Sequence, residues 1–496
     1  MINSKTRRPL VLCAVIMAMS MGAIEATIIA TSMPTIVSQL GDVSLYSWVF
    51  SGYLLMQAVT VPIYGKLADL FGRKRVFSFG LVVFLFGSVL CGFAPSMLSL
   101  AACRLVQGMG AGAVTPLAIT LIGDLYTAEE RGRIQGYLGS VWGVSSIVGP
   151  LAGALIVQYA NWSWVFWVNV PFAIAALVII TIYLHEDVGH RKVSVDYAGA
   201  GLLLAGLSAL MLLLTHGGEI GARNVMWLGA FFLALAMLFL IQERHASDPI
   251  VHAGLWRKPL IAMANGTTLT MSIAMAGVLN FLPTFAQGVL GSSPVLAGIA
   301  VSAMSIGWPI AAAVTGRKLP RVGARRLARL GGGLLFAGSL VLALLAEKGL
   351  IAMAIGSLLM GAGLGTLNTV FMVSIQGSVA WEQRGAATAS NMLMRMLGNA
   401  MGAAMFGGFL NYSLQHHLAE RGLSGRLSVD DLQSLLGTHA VVNPYDLDAL
   451  RAGLTVSMHW VFWGVAGVAT LALLLACSAR DWKSGEATGR VQDPGT

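Results

Sequence analysis

Long apolar stretches alternate with short polar segments along the whole 496-residue chain. Each stretch holds about 20 residues, the number that a helix rising about 1.5 Å per residue needs to cross a bilayer core about 30 Å thick. The pattern therefore predicts an all-helical protein that crosses the membrane many times. Fourteen stretches are found, at about residues 10–31, 47–65, 76–94, 97–123, 136–158, 163–184, 197–215, 226–242, 260–286, 295–315, 328–346, 350–376, 386–410 and 454–477.

The composition agrees with this class. Hydrophobic residues make up 56% of the chain and charged residues 11%, too few to cover a soluble globule of 52.1 kDa. The net charge of +9 does not indicate nucleic-acid binding, because Lys and Arg fall in short clusters between apolar stretches. The four cysteines lie inside apolar stretches, so neither a disulfide framework nor a metal site is expected: Cys13, Cys91, Cys103 and Cys477.

The basic clusters predict the orientation. If the N-terminus is cytoplasmic, most of the 31 Lys and Arg residues fall on the cytoplasmic side, as the positive-inside rule requires. An even number of spans then places both termini in the cytoplasm, with the protein in the inner (cytoplasmic) membrane. The first stretch follows basic residues but lacks a convincing cleavage site, so we expect it to remain as a span.

Two loops repeat one pattern. Residues 65–75, after the second stretch, and residues 316–326, after the tenth, each place glycines seven apart and then basic residues. Eight stretches separate these loops, two more than a duplicated six-helix unit needs. The sequence therefore predicts two six-helix bundles with an inserted helix pair: residues 1–190, the inserted pair 191–255, and 256–496.

The segment 411–453 is too long and too polar for a simple turn. Ser428 to Asp431 resemble a capping pattern, and Pro444 suits the start of a second helix. We expect a small external helical hairpin here. It either connects the last two spans passively or covers the outer mouth.

Three ionisable side chains lie well inside the predicted spans: Glu25, Arg104 and Arg395. A charge there costs about 3 kcal/mol or more unless it is paired, hydrated or neutralised, so each should face a protein-lined cavity. Glu25 lies about 22 Å from the inner end of its span, at nearly the depth of Arg104. Burial favours the neutral carboxyl and Arg104 the charged one, an opposition that suits a proton carrier. The alternative is that these residues are purely structural.

One acid against two arginines also bears on the substrate. A cavity with this balance is not strongly anionic. Neutral, zwitterionic or weakly acidic lipophiles are therefore favoured over multivalent organic cations, although a single Glu still suits a monovalent cation.

Four motifs occur in order along the first six stretches. Residues 65–75 contain Gly-x-Leu-Ala-Asp-x-x-Gly-Arg-Lys, 104–112 contain Arg-x-x-Gln-Gly-x-Gly, 139–153 contain spaced glycines with Gly-Pro, and 162–171 contain Trp-Ser-Trp. Together they resemble the Major Facilitator Superfamily, in particular its fourteen-span drug:proton antiporters, over nearly the whole chain. Ser163 stands where such relatives usually carry Arg. The resemblance implies export driven by protons, with two bundles that rock against each other.

The loop and glycine motifs have physical interpretations beside the resemblance. Asp69 can bond helix N-termini or arginines and form a cytoplasmic gate with Arg73 and Asp124, or it is an incidental acid in a topology loop. Pro320 occupies the position of Asp69 in the second loop, so the second latch should be weaker or built differently. The fifth-span motif either supports bending during export or only allows close packing: Gly143, Gly149, Pro150 and Gly153.

The predicted function is proton-coupled efflux of lipophilic small molecules, with Glu25 as proton carrier and Arg104 coupled to it. We expect a monomer in the lipid bilayer, with protons and substrates as partners and no cofactor or metal. The alternatives are a lipid or siderophore exporter and a nutrient uptake symporter. A membrane enzyme is least favoured, because no nucleophile, base and orienting group recur together. The candidate substrate-cavity residues, each of which could instead be ordinary packing, are Glu25, Trp142, Asn280, Phe281, Phe285, Trp308, Asn368, Asn391 and Arg395.

Overall fold

The computed structural model describes residues 6–41, 45–186, 196–216, 221–246, 253–420 and 444–478. Most of these residues are helical. In chain order the helices are α1 (Arg8–Leu40), α2 (Tyr46–Phe71), α3 (Arg73–Gly92), α4 (Met97–Leu125), α5 (Ala128–Tyr159), α6 (Trp164–Trp167), α7 (Asn169–Tyr183), α8 (Tyr197–His216), α9 (Ala222–His245), α10 (Ala253–Trp256), α11 (Pro259–Gly288), α12 (Pro294–Val322), α13 (Ala324–Leu345), α14 (Leu350–Ser378), α15 (Arg384–Glu420) and α16 (Pro444–Cys477).

Every predicted apolar stretch coincides with a helix, the sixth being divided between α6 and α7 at Val168. Within the described residues, eleven segments are long and apolar enough to cross a membrane. Helices α2, α5 and α15 are not among them. The prediction of an all-helical membrane protein is confirmed, with eleven candidate spans.

The first helix is longer than its apolar pattern. The apolar stretch ends near residue 31, but α1 continues past Pro34 to Leu40. A proline removes one backbone donor, and a long helix packed among neighbours tolerates this loss. The apolar pattern therefore located the span correctly but not the end of the helix.

The last two helices also extend beyond their apolar stretches. Helix α15 runs to Glu420 and α16 begins at Pro444, so residues 411–420 are helical and Pro444 starts the final long helix itself. Pro444 therefore begins a helix, as expected, but that helix is the final long one and not a separate hairpin helix. The capping pattern at Ser428 and the rest of the expected hairpin lie outside the described residues.

The two repeated loops share one backbone conformation. A single residue, Gly72, separates α2 from α3, and Gly323 separates α12 from α13. Both have a positive φ, 93° and 88°, in the region that favours glycine. Each glycine ends one helix and lets the next begin at once. The first turn of the new helix thereby lies beside the last turn of the old one.

The long helices pack as two groups: an N-terminal group, α1 to α7, and a C-terminal group, α11 to α16. Each has its own cluster of buried apolar residues. Helix α5 packs on α12, α2 and α4 pack on α15, and α4 also contacts α14. Glycines permit these approaches: a Cβ added to Gly65 would overlap that of Ala389, and one added to Gly136 would lie 2.5 Å from that of Ala313.

Helices α8 and α9 lie beside the junction of the two groups. They pack on each other, and α8 also contacts α2 and α15. Leu203 and Leu207 of α8 meet Val59 of α2, with Leu393 of α15 packed alongside. The apolar window of α9 has no buried residues, as expected of a helix that faces lipid. The pair therefore touches both groups through α8.

Candidate functional site

Glu25 of α1 and Arg104 of α4 form a buried ion pair. Arg104 Nη1 lies 2.6 Å from Glu25 Oε1, and the side chains are 2% and 0% exposed, respectively. The comparison of depths put these residues at one level, and the structure brings them into contact. Glu25, which we also expected in the cavity wall, has no exposed surface in this conformation.

Both oxygens of the Glu25 carboxylate have partners. Oε1 faces Arg104, and Oε2 accepts a hydrogen bond from the side-chain amide of Asn169. The interruption at Val168 puts Asn169 in the first turn of α7. The charged carboxylate is therefore satisfied by α4 and α7 within the N-terminal group, as burial requires.

Arg104 uses the rest of its guanidinium on neighbouring helices. Nη1 also donates to Gln107 Oε1 at 2.6 Å, and Nε donates to the Val49 carbonyl at 3.1 Å. The guanidinium lies over the ring of Tyr53, 4.1 Å from its centroid, a cation–π contact. Gln107 in turn donates to Ser88 Oγ at 3.1 Å. Arg104 thus connects α2, α3 and α4 around the carboxylate on α1.

Sequence reasoning named the ion pair but not the groups that hold it. Gln107 and Asn169 lie inside motifs that carried the family resemblance, and each is an amide in an apolar helix, so a signal existed. Tyr53 and Ser88 had no such signal. Their types are common in membrane helices, and only the packing of α2 and α3 directs them to this site.

A second set of charges joins the two groups of helices at the end where α2 meets α3, called the latched end here and defined by Asp69, Arg73, Asp124 and Arg384. Arg73 Nη2 lies 2.9 Å from Asp69 Oδ1, and Arg73 Nε lies 3.1 Å from Asp124 Oδ2. Arg384 Nη1 lies 2.9 Å from Asp124 Oδ1. The three predicted gate residues lie together, and Arg384 is an additional member from the other group.

Asp69 also caps a helix of the C-terminal group. Its Oδ1 accepts from the Gly385 amide at 3.0 Å, and its Oδ2 accepts from the Ala386 amide at 2.8 Å. These amides lie in the first turn of α15, where N–H groups lack intrahelical acceptors and the helix dipole favours an anion. One carboxylate therefore links α2 to both Arg73 and the start of α15.

The position of Arg73 follows from Gly72, which lets α3 begin immediately after α2. The guanidinium lies over the ring of Trp381, 3.7 Å from its centroid, and donates to the Trp381 carbonyl at 2.5 Å. Glu186, which follows α7, accepts from the backbone amides of Arg73 and Lys74 at 3.0 and 2.9 Å. No sequence pattern pointed to Trp381 or Glu186, since both lie far along the chain from the loop they contact.

In the part of the chain that the structure describes, the latch is built on one of the two repeats. Pro320, at the position equivalent to Asp69, lies inside α12 and offers no carboxylate. The ion pairs at the latched end involve the loop after α2 and not the loop after α12. The two halves of the repeat thus share a backbone turn but differ in their charges.

The glycine motif of α5 lies against α1 and α12. A Cβ added to Gly143 would lie 3.3 Å from the Ser305 carbonyl oxygen of α12, and one added to Gly149 would overlap Thr27 Oγ1 of α1. Thr27 is two residues from Glu25, so the motif contacts the segment that carries the buried carboxylate. The other two motif residues lie in the same helix: Pro150 and Gly153.

The predicted cavity residues fall into two sets. Phe285 and Asn391 are buried in the C-terminal group: Phe285 packs edge-on against Phe462 with ring centroids 5.3 Å apart. Asn391 donates to Asn265 Oδ1 and Thr268 Oγ1 of α11 at 3.1 and 2.9 Å. The others are partly or largely accessible: Trp142, Asn280, Phe281, Trp308, Asn368 and Arg395.

Comparisons with known proteins agree with this architecture. Residues 10–403 match the sequence profile of the Major Facilitator Superfamily. Multidrug resistance protein 3 of Bacillus subtilis is 32% identical over 466 residues, 91% of each chain. Multidrug transporter protein MdtP of the same organism is 34% identical over 415 residues, 82% of this chain and 76% of its own. In fold, the human organic anion transporter MFSD10 is similar at a TM-score of 0.64 and 14% identity, covering 95% of this chain and 99% of that one.

Proposed function

The chain belongs to the Major Facilitator Superfamily, whose members are membrane transporters and not enzymes, and we propose that it exports lipophilic small molecules in exchange for protons. We further propose fourteen spans, with α2, α5 and α15 completing two six-helix bundles at residues 1–190 and 256–496. Residues 191–255 form the inserted pair. The protein is a monomer in the cell membrane with both termini and the latched end on the cytoplasmic side.

The buried ion pair carries the proposal. Glu25 is enclosed, and its charge is held by Arg104 and Asn169. Protonation would remove the charge that these two partners bind, so the site has two chemically distinct states that differ by one proton. Two relatives are named as multidrug proteins, which supports a lipophilic substrate.

The position of the Glu25–Arg104 pair links protonation of Glu25 to movement of the two groups of helices. Thr27, one half-turn beyond Glu25, packs on Gly149 of α5, and α5 in turn packs on α12 of the other group. A change at the carboxylate therefore reaches the junction of the two groups through two helix contacts. Alternating access then requires the latched end to open, which separates Asp69 from α15 and Asp124 from Arg384.

The test uses purified protein in liposomes with an acidic lumen and the pH indicator pyranine trapped inside. Naphthalene-2-carboxamide, a neutral lipophile, is added outside. Under antiport it moves inward as protons leave, so it should accelerate the loss of luminal protons beyond that of protein-free vesicles. Symport would instead require the lipophile on the luminal side.

Two variants make the test specific. Glu25→Gln cannot bind and release a proton at this position and should abolish the acceleration. Glu420→Gln, at a carboxyl that is 64% exposed, should behave as wild type. Undiminished proton movement in Glu25→Gln would exclude Glu25 as the carrier, and acceleration only from luminal lipophile would establish a symporter.

A further inference from the structure

Arg395, about a third of the way along α15, lacks a carboxylate partner for its guanidinium in the described part of the chain. Its Nη2 donates to the Met392 sulfur at 3.0 Å, and a thioether is a weak acceptor. Arg73 and Arg104, by contrast, each lie within 3.1 Å of a carboxylate oxygen. Because a guanidinium carries five N–H donors, most of the hydrogen-bonding capacity of Arg395 is unused there.

A second polar group beside Arg395 also lacks a partner. The side-chain oxygen of Asn399 is buried and accepts no hydrogen bond within the described residues. Asn399 follows Arg395 by four residues, so the two side chains lie on one face of α15. Buried polar atoms are nearly always hydrogen-bonded, and each exception calls for an explanation. Asn399 Oδ1 is one such exception, and it lies one turn from a cation that has no carboxylate partner among the described residues. It is the unpaired cation that indicates a missing ligand of opposite charge.

The face that carries Arg395 is directed between the two groups of helices. On one side of it, Asn391 bonds α11 and Gly398 lies against the same helix. On the other side, Met392 and Met396 pack into the cluster formed mainly by α1 to α5. At about 100° per residue, Arg395 lies between these two faces. It remains partly accessible although Asn391 and Met392 are buried, so the accessible space adjoins the junction.

We propose that Arg395, with Asn399 beside it, binds the charged group of lipophilic organic anions such as aromatic carboxylates. A guanidinium donates two parallel hydrogen bonds to one carboxylate, and the amide of Asn399 supplies N–H donors beside them. Met396, which is only partly buried, provides a soft and adaptable apolar surface for the aromatic body. This proposal specifies a substrate class for the export function proposed above. Transport of the anion rests on that function, whereas binding of the anion does not.

The positions of the other charges favour an anion here. Glu25 is enclosed in the N-terminal group and is bound by Arg104 and Asn169. It therefore does not neutralise Arg395 in this conformation. An entering anion gains the attraction of the guanidinium, whereas a cation of the same shape is repelled.

The experiment compares three probes that share a naphthalene body and differ in charge: naphthalene-2-carboxylate, naphthalene-2-carboxamide and naphthalen-2-ylmethylammonium. Equilibrium binding to the purified full-length protein is measured in detergent at neutral pH. The carboxylate should bind about tenfold or more tightly than the amide, as expected for charge-assisted hydrogen bonds. The ammonium should bind more weakly than the amide.

Variants of Arg395 and Asn399 test whether these residues cause the preference for the carboxylate probe. Arg395→Gln should abolish it, and Arg395→Lys should retain only part, because Lys keeps the charge but not the fork of donors. Asn399→Asp places a carboxylate four residues from Arg395 and should also abolish the preference while keeping the protein folded. Arg329→Gln, at an exposed arginine of α13, is the matched control and should bind as wild type.

Equal affinity of the wild type for carboxylate and amide would overturn the assignment. So would absence of binding by all three probes, or a preference that survives both Arg395→Gln and Asn399→Asp. Monodisperse elution of each variant verifies folding. Because binding is measured without a pH gradient, failure of proton-coupled export would not alter this result. Conversely, loss of the anion preference would leave export of neutral lipophiles intact.

Discussion

At the scale of single residues, Glu25 and Arg104 act as a unit. Enclosure makes each dependent on the other, because removal of one partner leaves an uncompensated charge in a low-dielectric environment. The amides of Gln107 and Asn169 then bond a charge whose counterpart is gone. A single substitution therefore measures the cost of breaking the pair and not the contribution of one residue.

A double-mutant cycle tests this dependence. Glu25→Gln and Arg104→Gln should each destabilise the protein by about 3–5 kcal/mol. The double variant should lose less than the sum, with an interaction energy of about 1 kcal/mol or more. Chemical unfolding in detergent micelles measures all four proteins.

The exposed pair of His416 and Glu420, separated by 3.5 Å, provides the control cycle. Its side chains are 65% and 64% exposed, and changes there should be additive to within about 0.5 kcal/mol. Additivity at the buried pair as well would contradict the interpretation of Glu25 and Arg104 as one unit.

The sequence could predict the pair but not its surroundings, for a physical reason. The depth of Glu25 and Arg104 follows from counting residues along each helix, and an isolated charge in an apolar run is easily recognised. The contact with Asn169 depends on how α7 is rotated about its own axis after the interruption at Val168. The charge of Arg395 was recognised from the sequence, but only the packed bundle shows that no carboxylate among the described residues pairs with it.

At the scale of helices, the latched end depends on how helices begin. Gly72 starts α3 directly after α2, Glu186 caps α3, and Asp69 caps α15. Each cap binds amides that have no acceptor within their own helix. The contact between the groups is therefore made by a few polar bonds at a helix start. Such bonds can be exchanged for bonds to water when the end opens.

Removing the charge of Asp69 should weaken the latch. In Asp69→Asn an amide replaces a carboxylate that accepts from Arg73 and from the first turn of α15. Loss of a charge-assisted contact should raise the fraction of open protein about tenfold. Maleimide labelling of Thr388→Cys, a buried site at the latched end, measures opening in a background without native cysteines.

The control for this variant is Asp448→Asn, at an exposed acid of α16. It should leave labelling and transport unchanged. Insertion into the membrane should be normal for both variants. Unchanged labelling and turnover in Asp69→Asn would show that the contacts of Asp69 do not control opening of the latched end.

A steric change at the crossing of α2 and α15 should have the same effect by another route. A Cβ on Gly65 overlaps that of Ala389, so Gly65→Val cannot adopt the latched packing without a shift of one helix. We expect increased labelling of Thr388→Cys and slower transport. Gly298→Val is the matched control, because nothing lies within 4 Å of a Cβ there. Equal effects of the two substitutions would attribute the result to helix propensity and not to the crossing.

At the scale of the whole molecule, the two groups keep separate cores and meet through a limited set of helices. Buried apolar residues cluster within each group, while α5 on α12 and α2 on α15 make the junction. Packed cores resist deformation, so relative motion should concentrate at the junction. The groups should therefore move as nearly rigid bodies.

Spin labels test rigid-body motion. Labels at Phe71 and Arg325, exposed positions in different groups, should show a changed distance distribution when Asp69→Asn opens the latch. Labels at Arg8 and Phe71, both in the N-terminal group, should keep theirs. Pulsed electron resonance measures both distributions. A matching change within the N-terminal group would show that this group deforms.

The overall architecture was predictable because the bilayer imposes a fixed length of apolar sequence on each span. Helix ends were less predictable, since α1 continues to Leu40 and α15 to Glu420, each beyond its apolar stretch. The repeated glycine loops predicted matching turns, and Gly72 and Gly323 have them. The complete charge network at the latched end could be identified only from the folded structure, because Arg384 lies far from Asp69 along the chain.

The hydrogen bond between Asp69 and the start of α15 constrains which substitutions are tolerated at position 386 during evolution. Its donor at Ala386 is a backbone N–H, which every amino acid except proline possesses. Position 386 can therefore change its side chain over evolutionary time while the donor is inherited unaltered. A proline there would delete the donor yet still fit the first turn of a helix. This half of the latch is thus encoded by the existence of the helix start and not by the identity of a residue.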